Sequence, residues 1–426
     1  MKKCIVIGGG AAGLSTAAYL SSNGIKVTIL ESSPKAGGRA YSFSDPISGN
    51  VIDNGQHILM GCYKDTLNFI KLIGAKDNFV SNKSLRINFL QRGGKVTNLI
   101  AVPYLYPINI LIALLKYDAI PVKDRISILK FMVKIPFTSH QKLVGKSVND
   151  WLSESNQNEA VIKSLWEIIT VGALNTNIKK ASALIFRDIL MKIFFYGNFA
   201  STIVLPKYDL TRSYIEPALE FIKAKEGVIS FSSPVEEIIT TNNNITAVKT
   251  NNEVLTDFDF IISAIPYHST IKLFPDLFEE NMLEFEYSTI VNIHIWLNEN
   301  NFKEEFYGLI NSPVHWVFNK GSHLNLVISD ADYLIEESSW EIYDLCLNEL
   351  KLFMNIHEEN IVRYKIIKEK RATFIPSSKI HFARPSSKTK YKNLFLAGDW
   401  TDTGLPSTLE SAVKSGRIAA ENVINS

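Results

Sequence analysis

Cys4-Ile5-Val6-Ile7-Gly8-Gly9-Gly10-Ala11-Ala12-Gly13, continued by an alanine-rich run to Asn23-Gly24 and by Lys26-Val27-Thr28-Ile29-Leu30-Glu31, is the stretch that decides the fold. A short, apolar, β-branched run is the pattern of a strand buried on both faces; residues 12–23 read as a helix stopped by glycine, and a second strand follows. Strand, helix and strand in about 27 residues is the length of a right-handed parallel crossover. Within it each glycine of Gly8-x-Gly10-x-x-Gly13 has a mechanical task. Gly8 permits the tight turn, Gly10 lets backbone N–H groups approach a pyrophosphate, and Gly13 lets the helix pack closely on the sheet. The helix N-terminus then presents partial positive charge to the phosphates. Glu31, 18 residues beyond Gly13, ends the second strand, where a carboxylate accepts hydrogen bonds from a ribose diol and disfavours a 2′-phosphate. The expectation is a dinucleotide-binding α/β domain.

Length and composition set the frame around this unit. At about 150 residues per domain, 426 residues predict two or three domains. Hydrophobic residues at 46% and charged residues at 21% are ordinary globular values and exclude a disordered or fibrous chain. Lys and Arg total 45 against 43 Asp and Glu, so the charge balance argues against nucleic acid as a partner. Cys4, Cys62 and Cys346 are odd in number and far apart, which fits neither a disulfide framework nor a Cys-x-x-Cys pair and makes a reducing, cytoplasmic compartment the expectation. Met1-Lys2-Lys3 and the apolar run after it imitate a leader, but the glycine triplet breaks that run, so the segment reads as folded chain. The histidines show no His-x-x-x-His spacing, and no metal site is expected.

Further along, 228–231, 235–240, 245–250 and 253–256 alternate with Asn-rich turns and predict a β-meander leading into a buried strand at 258–262. Leu394-Phe395-Leu396-Ala397 predicts another buried strand, with a helix over 407–425. These pieces predict a Rossmann-type nucleotide-binding domain carrying a β-meander, made of residues 1–80, 205–266 and 386–426. Residues 81–204 and 267–385 are then a mixed α+β substrate domain. In the latter, residues 99–115 carry no charge but contain Pro103 and Pro107, and 126–133 is amphipathic. Length and prolines exclude a membrane span. Two readings stay open: a buried core helix, or a helical membrane-facing segment over 99–133. For the second, Tyr104 and Tyr106 suit the interface, and Lys116, Lys123, Arg125 and Lys130 suit anionic headgroups.

After Glu31 comes Ser32-Ser33-Pro34-Lys35-Ala36-Gly37-Gly38-Arg39-Ala40. With Asn393-Leu394-Phe395-Leu396-Ala397-Gly398-Asp399, this resembles the flavin-containing amine oxidase and phytoene desaturase superfamily. The resemblance implies FAD, held by Gly8, Gly10, Ala12, Gly13, Glu31, Gly38, Arg39, Gly55, Gln56, His57, Val235, Gly398, Asp399, Pro406, Ser407 and Thr408. A finer set of motifs runs in order over nearly the whole chain: Val51-Ile52-Asp53-Asn54-Gly55-Gln56-His57, Ala173-Leu174-Asn175-Thr176, Trp316-Val317-Phe318, Arg371-Ala372-Thr373, and 397–410. Together they resemble the hydroxysqualene dehydroxylases, with Ser407 standing where alanine is common.

That resemblance implies an enzyme in which reduced FAD removes the hydroxyl of hydroxysqualene, a polyisoprenoid, and leaves squalene, a hopanoid and triterpene precursor, and water. Ionising an allylic alcohol needs an acid; His57 and Asp402 are the candidates, His57 first because histidine needs little tuning. Each also has a structural role open to it, hydrogen bonding to FAD for His57 and turn capping for Asp402. With no second glycine fingerprint, a separate electron donor is implied, and a lipid substrate implies a peripheral site on the inner face of the membrane. The rival readings are a carotenoid-type desaturase, which runs the flavin in the oxidising direction, and a non-enzymatic prenyl-lipid carrier on the same fold.

Overall fold

The computed structural model describes residues 1–278 and 285–426. The crossover forms as the glycine spacing requires: strand Lys3–Ile7, helix Ala11–Ser22 and strand Lys26–Leu30, the two strands parallel and in register. They lie at the centre of a five-stranded parallel sheet in the order Val228–Ser230, Lys26–Leu30, Lys3–Ile7, Phe260–Ser263, Leu394–Leu396. Helix Leu409–Ile424 packs on Ala11–Ser22, and the two approach closely because Gly416 carries no side chain: a Cβ there would stand 2.4 Å from the Ala12 carbonyl. Leu14, Leu20, Ile29 and Val413 fill the layer between helices and sheet.

One expectation changes here. Residues 228–230 do not open the meander; they add the outer parallel strand beside 28–30, and the three-stranded meander consists of Val235–Thr241, Asn244–Thr250 and Val254–Leu255. A three-residue β-branched run is compatible with either sheet, and the crossover through helix Glu216–Ala224 decides for the parallel one.

The second sheet has seven strands, in the order Ile361–Phe374, Tyr287–Leu297, Leu324–Ile328, Trp316–Asn319, Phe306–Leu309, Arg86–Leu90, Val96–Ile100. Pairing is antiparallel except where 308–309 runs parallel to 89–90. One face is closed by helix Ser339–Met354 over Ile293, Ile295, Leu324 and Leu326. Helices Ile108–Lys116, Val122–Lys134, Val148–Glu154, Glu167–Leu174 and Ala183–Phe195 form a separate layer around Phe131, Trp151, Trp166 and Phe186, whose ring centroids lie 4.8–6.4 Å apart.

The 99–133 segment is divided between buried and exposed apolar residues. Ile110, Ala113, Leu114, Ile128, Phe131 and Met132 are buried in the helical core, while Tyr104, Leu105, Ile108, Val122, Val133 and Phe137 face outward. No described helix is long and apolar enough to cross a membrane.

Candidate functional site

The site grows from the turn after the first strand. The Gly8 N–H donates to the Leu30 carbonyl at 2.8 Å, tying the loop to the second strand. At Gly8 the backbone has φ +105°, and a Cβ would sit 2.9 Å from the Ala264 carbonyl oxygen; at Gly13 a Cβ would lie 1.9 Å from the Gly8 oxygen. Neither position tolerates a side chain. Gly10 differs, since a Cβ there would meet only the Gly38 Cα, at 3.8 Å; what it leaves is open space above the helix N-terminus. Helix Ala11–Ser22 has no side-chain cap, so its first amides are free to take an anion.

Glu31 is positioned by the backbone around it. Its Oε2 accepts the Gly9 N–H at 2.6 Å and its Oε1 the Ser33 N–H at 2.7 Å. The carboxylate still borders the cleft, where its remaining lone pairs can take a ribose diol. Glu31→Ala is expected to weaken dinucleotide binding by about 1.5–3 kcal/mol, the worth of hydrogen bonds to a charged group, with Glu31→Gln losing less. Titration of the apoprotein with FAD, followed by flavin fluorescence, measures both.

On the other wall Arg39 draws three segments together. Its guanidinium donates to the Ala372 carbonyl at 2.8 Å and pairs with Asp399 Oδ1 at 2.7 Å. Asp399 Oδ2 accepts from the Ser407 hydroxyl. The Asp399 carboxylate holds the Arg39 pKa above its ordinary value against the opposing effect of burial. Thr408 caps helix Leu409–Ile424 through the Ser411 N–H, so a second helix begins at the cleft. The cleft has an internal volume of about 700 Å³. Of the residues expected to hold FAD, all border it except Gly13 and Pro406, Gly13 acting on the helix packing instead.

The two acid candidates come out differently from the expectation. His57 borders the cleft, but burial lowers its pKa to about 4, with Asp53 opposing and Arg39 and Lys320 reinforcing the shift. The ring is therefore neutral at pH 7, and no hydrogen bond joins it to a described residue that could return a proton it gives up, which removes the reason for ranking it first as the acid. Asp402 is exposed and stands outside the cleft lining; its Oδ1 accepts the Gly404 N–H at 3.3 Å, a turn cap.

Residues not singled out from sequence complete the wall: Asn54, which donates to the Arg39 carbonyl and to Glu369, and Asn292, whose Oδ1 faces the Gln56 N–H at 3.4 Å. Asn292 had a legible signal. In Val291-Asn292-Ile293-His294-Ile295 two polar residues alternate with β-branched ones, which marks a strand with one polar face.

A family model described as flavin containing amine oxidoreductase matches residues 11–424. The hydroxysqualene dehydroxylase of Zymomonas mobilis subsp. mobilis is 27% identical over 98% of this chain and 97% of its own. The zeta-carotene desaturase of Synechocystis sp. is 24% identical over 98% of this chain and 96% of its own. Among solved structures, an oxidoreductase from Methanosarcina mazei superposes with a TM-score of 0.74 at 18% identity, over 100% of both chains.

Proposed function

The chain belongs to the flavin containing amine oxidoreductase family and is an FAD-dependent oxidoreductase, and from that premise we propose that it reductively removes the hydroxyl of hydroxysqualene to give squalene. The observation that carries this reading is the far lobe of the cleft. Beyond the nucleotide loop its wall is Ile58, Ile290, Trp316, Phe318 and Val327, interrupted by the amides of Gln56 and Asn292. An apolar lobe with a few placed polar groups suits a hydrocarbon chain bearing one hydroxyl. The near full-length likeness to a hydroxysqualene dehydroxylase supports the same substrate class.

When bound, reduced FAD supplies the hydride equivalent. The chain's own residues do the rest: the apolar wall excludes water, which strengthens every polar contact inside, and the amides of Gln56 and Asn292 orient the oxygen. We assign 1–80, 205–266 and 386–426 to the FAD side and 81–204 and 267–385 to the substrate side. Gly8, Gly10, Glu31, Arg39 and Asp399 then hold the cofactor, and a separate electron donor reduces the flavin.

The alternative, hydrocarbon desaturation, is favoured by the likeness to a carotene desaturase and runs the flavin the other way. Anaerobic mixing separates the two. Reduced protein should regain its oxidised flavin absorbance with hydroxysqualene, and oxidised protein should stay oxidised with phytoene; the reverse pattern establishes the desaturase.

A lipid substrate has to leave a bilayer, and the outward apolar face at Tyr104, Leu105, Ile108, Val122, Val133 and Phe137 suits peripheral binding at the inner face of the cytoplasmic membrane. Leu114 is buried, so charge introduced there reports on the core alone. Leu105→Ser with Phe137→Ser is expected to abolish co-sedimentation with anionic liposomes at low salt while leaving the thermal midpoint within about 2 °C, as surface changes do. Unchanged sedimentation would mean that this face is not the one that docks.

A further inference from the structure

The reaction proposed above consumes a proton at the departing oxygen; the His57 ring has no described hydrogen-bond partner to resupply it, and Asp402 lies outside the cleft lining. The cleft-facing side of the seven-stranded sheet holds another pair. Along strand Tyr287–Leu297, Asn292 and His294 share one face; along Leu324–Ile328, Asn325 and Val327 do the same. Asn292 pairs with Val327, and both border the cleft; the next pair inward is His294 with Asn325. His294 Nδ1 lies 2.9 Å from His323 Nε2, and His323 Nδ1 lies 2.9 Å from the hydroxyl of the exposed Ser322. Trp296 stacks on His323 and shields it.

At the inner end of this chain polar atoms are left over. Both amide atoms of Asn325 and Gln56 Oε1 are buried without a hydrogen-bond partner among the described residues, as is His294 Nε2, whose ring the Asp53 backbone approaches without closing a hydrogen bond of good geometry, and the Asn292 Nδ2 stands 3.2 Å from where a Gly55 Cβ would be. Unpaired polar atoms at successive positions of one sheet face, with Gln56 held to the same face through Asn292, are the setting in which proteins hold an ordered water.

We propose that Ser322, His323 and His294 form a proton-delivery path from the surface to the polar end of the cleft, where His294 protonates the departing hydroxyl oxygen through a water held beside Gln56 and Asn292. The path rests on the dehydroxylase reading. In the step, the C–O bond breaks with its electron pair going to oxygen; that oxygen takes the relayed proton and leaves as water, while the carbon takes the hydride equivalent from the reduced flavin. His294 recovers its proton at Nδ1 from His323 Nε2–H, and His323 recovers its own from Ser322 and solvent. Both rings are held neutral, chiefly by burial, and a neutral imidazole that accepts at one nitrogen and donates at the other is what such a chain needs.

The test is single-turnover oxidation of photoreduced holoprotein by hydroxysqualene in the wild type, His323→Phe and His323→Ala. Phe keeps the stack on Trp296 and breaks the chain. Both variants are expected to slow at least about tenfold, with hydroxysqualene affinity and flavin content unchanged, and imidazole should restore His323→Ala. Wild-type rates in the variants, or slowing that imidazole does not relieve and that tracks lost affinity, overturn the relay. Failure of the wild type to turn over hydroxysqualene removes the reading and the relay with it. Folding of the variants is not needed for the second measurement: ¹⁵N spectra of the wild-type histidines should show one proton shared between His294 and His323, and two rings with no shared proton overturn the path.

Discussion

Lowering the pH from 7 to 5 is expected to remove about 4 kcal/mol of folding stability through His294 and His323 alone, at about 2 kcal/mol for each ring. Their side chains are 0% and 2% exposed. Burial lowers His294 to about 3, with the neighbouring His323 adding to the shift, and lowers His323 to about 4, with Lys320 adding to it. In the unfolded chain each ring takes a proton below pH 6.5, whereas the folded protein refuses it until far lower pH. The contribution is therefore complete above the unfolded value and is lost as pH falls toward the folded one. Urea unfolding at pH 7 and pH 5, in the wild type and in a His294→Gln/His323→Gln double variant, isolates the pair. The double variant should lose about 4 kcal/mol less over this interval; equal losses would show that the rings titrate normally in the folded state.

Arg39→Leu is expected to cost about 1–3 kcal/mol of holoprotein stability, less than the loss of one partner from a fully buried ion pair because the Arg39 side chain is 38% exposed while Asp399 is buried. Asp399 is 7% exposed and has Arg39 and the Ser407 hydroxyl as its side-chain partners. Without the guanidinium the carboxylate stays buried beside one neutral donor, and the Ala372 carbonyl loses its donor as well. Strand Ile361–Phe374 then loses its tie to the Gly37–Ala40 loop and keeps those of Glu369 to Asn54 and Arg363 to Asp45, so flavin occupancy should fall together with the thermal midpoint. Arg39→Lys keeps the charge but not the fork that reaches both partners, and should recover part of the loss. Flavin-to-protein absorbance ratios and melting curves of the two variants decide it; full occupancy in Arg39→Leu would mean the pair is not what holds the site closed.

What could be seen in the sequence follows from how local each constraint is. Gly8, Gly13 and Glu31 act within one crossover, so spacing alone places them, and the structure gives the reasons as 1.9 Å and 2.9 Å clashes. Arg39 and Asp399 are 360 residues apart; each stood out by its glycine neighbours, but their ion pair needs strands Lys26–Leu30 and Leu394–Leu396 brought into one sheet. The seven-stranded sheet was harder to see, because 86–90 pairs with 308–309 across more than half the chain and no local pattern names that partner. The charge state of His57 was out of reach for the same reason. Its shift depends on burial and on Asp53, Arg39 and Lys320 arriving from three places. Asp402 illustrates the opposite error: its motif is local, but the loop turns the carboxylate outward onto its own backbone.

In the proposed dehydroxylation one reduced flavin is spent on each hydroxyl removed from the triterpene. Photoreduced holoprotein, incubated anaerobically with hydroxysqualene, should yield squalene by mass analysis, one molecule for each flavin returned to the oxidised form. Oxidised flavin without squalene, or reduced flavin that persists beside unchanged hydroxysqualene, would contradict it.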